Sequence, residues 1–117
     1  MKKFYYLSTC STCLRILSEL NLPSEFILQD IKSIPLTEND LLQLKKLAGN
    51  HENLFSRRAQ LYKQRNLKDQ NLSEEDFKKL ILEHYTFLKR PVLINGNEIF
   101  IGNSKPTVEA AKKSINE

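Results

Sequence analysis

The sequence predicts an α/β fold: a mixed four-stranded sheet built from a β-α-β half and a β-β-α half, with a helical insertion between them. Its apolar pattern changes period from strand to helix and back before Gln29. Capped helical stretches fill the middle. A strong hairpin signal followed by a last amphipathic helix closes the chain.

Taken in order, Lys3 to Leu7 is a β-rich run with Phe4, Tyr5 and Tyr6 at its heart and reads as a strand. The hydroxyl-rich Ser8-Thr9-Cys10-Ser11-Thr12 suits a loop and a helix cap. From Cys13, apolar residues recur at helical spacing (Ile16, Leu17, Leu20) until Asn21-Leu22-Pro23. Glu25 to Gln29, with Phe-Ile-Leu inside, reads as the second strand. About fifteen residues separate the two strands, as a right-handed parallel crossover needs. Thr37 is a good N-cap, with Glu38 and Asp40 behind it, and Leu41, Leu44 and Leu47 follow until Gly49-Asn50. A second helix is expected over Leu54 to Arg65, and a third from Ser73 through Phe77, Leu80, Ile81 and His84. Val92-Leu93-Ile94, the turn Asn95-Gly96-Asn97, and Ile99-Phe100-Ile101 predict a β-hairpin. Gly102-Asn103-Ser104 ends it, and a helix from about Lys105 to Ile115 presents Val108, Ala110 and Ala111.

A chain of 117 residues is expected to form one domain, 1–117, with the helical insertion at about 37–86. With 40% hydrophobic and 27% charged residues it belongs among soluble globular proteins. No apolar stretch reaches the ~20 residues of a membrane span, and the basic start Met1-Lys2-Lys3 leads into no signal-peptide core. A cytoplasmic location is therefore expected, and there two cysteines point to catalysis or redox sensing rather than a structural bridge. The net charge of +4 argues for no direct nucleic-acid contact. Its one concentration, Arg57, Arg58, Lys63, Arg65 and Lys68 without an intervening acid, reads on charge alone as a solvated helix face.

Cys10-Ser11-Thr12-Cys13 lies where the first strand hands over to a helix. Free N–H groups and the positive dipole end favour a thiolate at Cys10. Cys13, one turn in, is placed to resolve a mixed disulfide or sulfenate on it. The competing reading makes Cys13 an inert apolar residue at the helix start, with Cys10 acting alone. A zinc site would need two further ligands; there is no third cysteine, and His51 and His84 have no ligand spacing. No metal and no tightly bound cofactor are expected, and neither histidine is given a role.

Pro91 stands at the start of the hairpin strand, a position where proline is tolerated, and Arg90 before it offers a planar donor fork to an anion. On a helix through Leu54–Tyr62 at about 100° per residue, Arg58 falls inside the apolar sector and Arg57 at its edge. An arginine on a buried side calls for an acidic partner or an anionic ligand. Arg58 and Arg90, with Ser11 and Thr12, are thus the candidate anion-binding or thiolate-tuning groups.

These residues together resemble the ArsC family, which includes the glutaredoxin-dependent arsenate reductases and the Spx regulators. The resemblance is carried by the Cys10 loop, Leu54-Phe55-Ser56-Arg57-Arg58-Ala59-Gln60-Leu61-Tyr62, Phe87-Leu88-Lys89-Arg90-Pro91-Val92-Leu93-Ile94 and Ile101-Gly102. It implies a thioredoxin-like fold in which Pro91 is the cis-proline facing the reactive cysteine. For the reductases it implies that Cys10 attacks an oxyanion held by arginines at the positions of Arg58 and Arg90, with glutathione and glutaredoxin or thioredoxin as reductants. The third arginine of those reductases, just after the last strand, has no counterpart in Phe100-Ile101-Gly102-Asn103. Cys13 is more typical of the Spx branch, for which the resemblance implies a redox switch that binds the C-terminal domain of the RNA polymerase α subunit. Spx proteins share a further basic tail that is not found before Glu117.

Overall fold

Strand β1 (Lys2–Tyr6) carries two neighbouring buried aromatics, Phe4 and Tyr5, whose side chains point to opposite faces. A strand apolar on both faces belongs inside a sheet. The computed structural model, which describes Met1–Glu117, places β1 second in the order β2-β1-β3-β4, with β2 at Ile27–Asp30, β3 at Val92–Asn95 and β4 at Glu98–Ile101. β2 runs parallel to β1, with Lys3 opposite Ile27 and Tyr6 opposite Asp30. β3 is antiparallel to β1, Phe4 facing Leu93, and β4 closes the hairpin with Asn95 opposite Glu98. The turn is tight because Gly96 takes φ 65, where a side chain would be strained. This mixed sheet with its helices is the thioredoxin-like arrangement expected.

The chain divides into two compact units, one formed by Met1–Ile34 and Arg90–Glu117, the other by Pro35–Lys89. In the first, helices α1 (Ser11–Leu20) and α5 (Lys105–Ile115) pack together, and α5 also touches β3 and β4. Their apolar stripes close the core: Phe4 and Leu93 from the sheet, Ile16 and Leu20 from α1, Val108 and Ala111 from α5, and Phe26. Burying each such large side chain is worth about 1.5–3 kcal/mol.

Several boundaries shift from expectation, β1 by one residue at each end. β2 starts at Ile27, not Glu25, because the Phe26 N–H turns back to the Pro23 carbonyl at 3.1 Å. α1 starts at Ser11, with Cys10 itself as N-cap, and stops where Asn21 enters the left-handed region at φ 47.

The second unit holds α2 (Glu38–Ala48), α3 (Gln60–Gln64) and α4 (Glu74–Glu83). Reciprocal capping boxes, Thr37 with Asp40 and Ser73 with Asp76, start α2 and α4. The continuous helix expected over Leu54–Arg65 does not form. Phe55 instead makes an antiparallel bridge with Leu88, the Ser56 N–H donates to the Phe87 carbonyl at 2.8 Å, and the Lys89 N–H donates to that of Leu54 at 2.8 Å. Phe55 is fully buried, stacked on Phe87 at 5.4 Å between centroids and 4.8 Å from Phe77. Aromatic packing has outweighed helical periodicity there.

The basic run is exposed, as expected, but it is no continuous helix face: of its five residues only Lys63 lies on an α-helix, and Arg57 and Arg65 are paired. Arg57 donates to Glu52 at 2.8 Å and lies over the rings of Phe55 and Phe77. Arg65 makes a two-pronged pair with Glu83 at 3.0 and 2.6 Å, over Phe87. No helix is long and apolar enough to cross a membrane.

Candidate active site

The end of β1 and the start of α1 are joined by a loop of few residues, and hydrogen bonds fix its course. The Tyr6 carbonyl accepts from Ile31 N–H at 2.9 Å. Ser8 donates to Asp30 twice, from its N–H at 3.2 Å and from its hydroxyl at 2.6 Å. The Cys10 N–H then returns to the Leu7 carbonyl at 3.0 Å, and the Cys10 carbonyl accepts the first bond of α1, from Leu14 N–H at 3.1 Å. Cys10 is left half-buried at the N-cap with no side-chain cap bond, while Cys13 is fully buried; both are free thiols.

The two thiols differ in acidity. Partial burial disfavours a charge on Cys10, but the N–H of Cys13, its thiol, the N–H of Thr12 and the Arg90 charge together outweigh it, so the Cys10 pKa is lowered from 9.0. Cys13 is pushed up to about 11, first by burial and then by the neighbouring Cys10 sulfur, against the opposing effects of the Leu7 backbone and Arg90. Cys10 is thus the more acidic thiol of the pair, and Cys13 the one that holds its proton more firmly.

Arg90, half-buried beside Pro91, acts on both sulfurs through its charge. The Arg90–Pro91 peptide is cis, the isomer expected. Thr12 contributes its backbone N–H rather than its hydroxyl, and Ser11 is the exposed first residue of α1. Arg58 belongs to the other unit. It is exposed in the turn before α3, with its N–H 3.4 Å from Ser56 Oγ. The helical-sector argument for Arg58 therefore falls with the helix that carried it.

Asp30 was not among the residues singled out. Besides Ser8 it accepts from Lys32 N–H at 3.2 Å and Ser33 Oγ at 3.1 Å, and the Ser8 hydroxyl foremost holds its carboxyl below the usual range. An acid at the end of a predicted strand beside a β-α loop was the available signal. The fold gathers no group of three or more His, Cys, Asp or Glu able to hold a metal ion. His51 faces Glu74 at 3.1 Å, and His84 pairs with Thr86 at 2.7 Å.

The ArsC family model matches residues 5–111. Over 72 residues the chain is 33% identical to the arsenate reductase of Haemophilus influenzae, a match covering 60% of this chain and 62% of the reductase. Over 112 residues it is 23% identical to the global transcriptional regulator Spx of Bacillus subtilis, covering 92% of this chain and 84% of the regulator. In fold it is similar to an ArsC family related protein from Bacteroides fragilis, with a TM-score of 0.76 at 22% identity over 94% of this chain and 97% of that one.

Proposed function

The chain belongs to the ArsC family, and on that premise we propose that it is a thiol oxidoreductase in which Cys10 attacks the substrate and Cys13 resolves the adduct. The observation that carries this reading is the split acidity of the two thiols at the α1 N-terminus. With a small oxyanion such as arsenate, the Cys10 thiolate bonds to arsenic and hydroxide leaves. Cys13, giving its proton to solvent, then attacks the Cys10 sulfur. The S–As bond breaks with its electron pair going to arsenic, which is reduced by two electrons while a Cys10–Cys13 disulfide forms. Glutathione with glutaredoxin, or thioredoxin, returns the two electrons by thiol–disulfide exchange. A cytoplasmic setting supplies those reductants.

The order of the steps follows from electrostatics. Burial keeps Cys13 protonated first, and the Cys10 sulfur adds to it. Once Cys10 is spent in a covalent adduct its charge no longer opposes ionisation of Cys13. The resolving thiol thus becomes nucleophilic after the first step, not before it. Arg90 is the guanidinium whose charge reaches the thiols and is the first candidate to hold the oxyanion. Arg58 stands as a candidate on the family pattern, and Ser11 and Thr12 on their place at the start of α1.

Arsenate-dependent NADPH oxidation, coupled through glutathione, glutaredoxin and glutathione reductase, tests the reductase. Turnover is expected from the wild type and not from Cys10→Ser. Turnover no higher than that control overturns it.

A second reading is favoured by the likeness to Spx over nearly the whole chain. In it the same disulfide is a switch that alters binding to the RNA polymerase α C-terminal domain. Mild peroxide would form the disulfide with a loss of about 2 Da. Pull-down with that domain should then differ between reduced and oxidised protein; no binding in either state removes this reading.

A further inference from the structure

We propose that Asp30 is the positioning residue of the thiol loop: its carboxylate, gripping Ser8 by both the N–H and the hydroxyl, sets where the Cys10 sulfur sits relative to the first N–H groups of α1. This inference rests on the reading of Cys10 as the nucleophile.

The side-chain hydrogen bonds of the loop are few. Between Tyr6, anchored by Ile31 N–H, and Cys10, anchored by the Leu7 carbonyl, they are the two to Asp30 from Ser8, at 3.2 and 2.6 Å, while Leu7 is held by burial. Asp30 is itself held. It is the last residue of β2, in register with Tyr6, and its two oxygens also accept from Lys32 N–H and Ser33 Oγ while its carbonyl accepts Ile34 N–H at 2.8 Å. A carboxylate fixed at a strand end can hold a loop that has no regular structure of its own. An ionised acceptor also makes stronger bonds than a neutral one.

The consequence falls on Cys10. Its thiolate depends on the Cys13 and Thr12 N–H groups and on the Cys13 thiol, all contributed by α1, whereas the N–H side of the Cys10 backbone is held by the loop and only its carbonyl by α1. A shift of the loop moves the sulfur off those donors, since such bonds weaken steeply with distance and angle. Asp30 acts through Ser8 and touches no reacting atom.

The test uses the full chain and a small alkylating agent, iodoacetamide, with the rate at Cys10 followed by mass spectrometry across pH. Ser8→Ala and Asp30→Ala are expected to move the thiolate midpoint upward and to slow alkylation at pH 7 by roughly three- to tenfold, the factor matching one net hydrogen bond. Asp30→Asn, whose amide oxygen can still accept from Ser8 N–H but which lacks the charge and the second acceptor oxygen, is expected to fall between the wild type and Asp30→Ala. Were Asp30 felt by Cys10 only as a negative charge, both Asp30 variants would speed alkylation, and that result overturns the proposal. So does a wild-type pH profile in Ser8→Ala and Asp30→Ala with lowered melting temperatures, the mark of a merely structural residue. If Asp30→Ala does not fold, Ser8→Ala decides alone, by the same profile. A wild-type Cys10 that titrates as an ordinary thiol overturns this inference and the reading beneath it together, whereas a low wild-type midpoint with unmoved variants overturns the inference alone.

Discussion

The two units spend their polar groups differently. In the sheet-bearing unit, backbone N–H groups, a thiol and the Arg90 charge all bear on one sulfur and, against partial burial, lower its pKa. In the helical unit, charges close on each other over aromatic rings, Arg57 with Glu52 and Arg65 with Glu83, and Glu74 accepts from the N–H groups of His51 and Glu52. An arginine charge thus bears on a thiol in one unit, while in the other arginines close on acids over aromatic rings.

The sharpest way to probe that contrast is to remove the ring on which the second unit is built. Phe55→Ala should cost about 3–5 kcal/mol in urea unfolding, since the ring is fully buried against Phe77 and Phe87. Phe4→Ala in the other unit should cost a comparable amount. A loss below about 1 kcal/mol for Phe55 would mean that the bridge to Leu88, and not the ring, holds this segment out of a helix.

pH separates the thiols next. Cys10 is lowered below 9.0, so the unfolded chain keeps that proton longer and stability rises with pH up to about 9 on its account. Cys13 is raised to about 11, so the folded state keeps its proton longer and stability falls as pH rises from 9.0 toward 11. Urea midpoints for Cys10→Ser and Cys13→Ser across this range should show opposite changes of slope; parallel curves would contradict the split. On the acid side, the carboxyls of Glu74 and Glu83 are held low. Some burial opposes this at Glu74, but the N–H groups of His51 and Glu52 outweigh it, and at Glu83 the Arg65 guanidinium dominates. The stability they contribute is present above 4.5 and is lost as pH falls below it.

The gentlest comparison is between neighbouring arginines. Arg57→Ala should cost about 0.5–1 kcal/mol, losing its half-exposed pair and its place over two rings. Arg58→Ala, exposed in a turn, should stay within about 0.5 kcal/mol of the wild type. Thermal melts of both, read beside the arsenate assay, would separate a cohesive arginine from an anion-binding one.

The sequence alone revealed what is encoded locally. The caps at Thr37 and Ser73, the Asn95–Gly96 turn and the strand–loop–helix setting of Cys10 each lie within a few residues of their cause, and each appears in the fold. What stayed hidden depends on distant partners. Nothing near Phe55 announces Leu88, so the periodicity of Leu54–Arg65 pointed to a helix and carried Arg58 onto a face that does not exist. Nothing near Ser8 announces Asp30, because the two meet through the parallel pairing of β1 and β2.

That pairing bears on the order of assembly. β1 lies at the centre of the sheet, with β2 close behind it in sequence and β3 arriving only after the whole of Pro35–Lys89. On the ribosome, β1 can meet β2 early, while its other edge waits for residues 92–95. Closing so long a loop adds little entropy beyond a shorter one, but it delays the event. The segment that bears Cys10 is therefore synthesised well before Arg90, whose charge helps to ionise it. A nascent chain thus carries the thiol and its neighbours in α1 before the Arg90 charge that adds to its acidity.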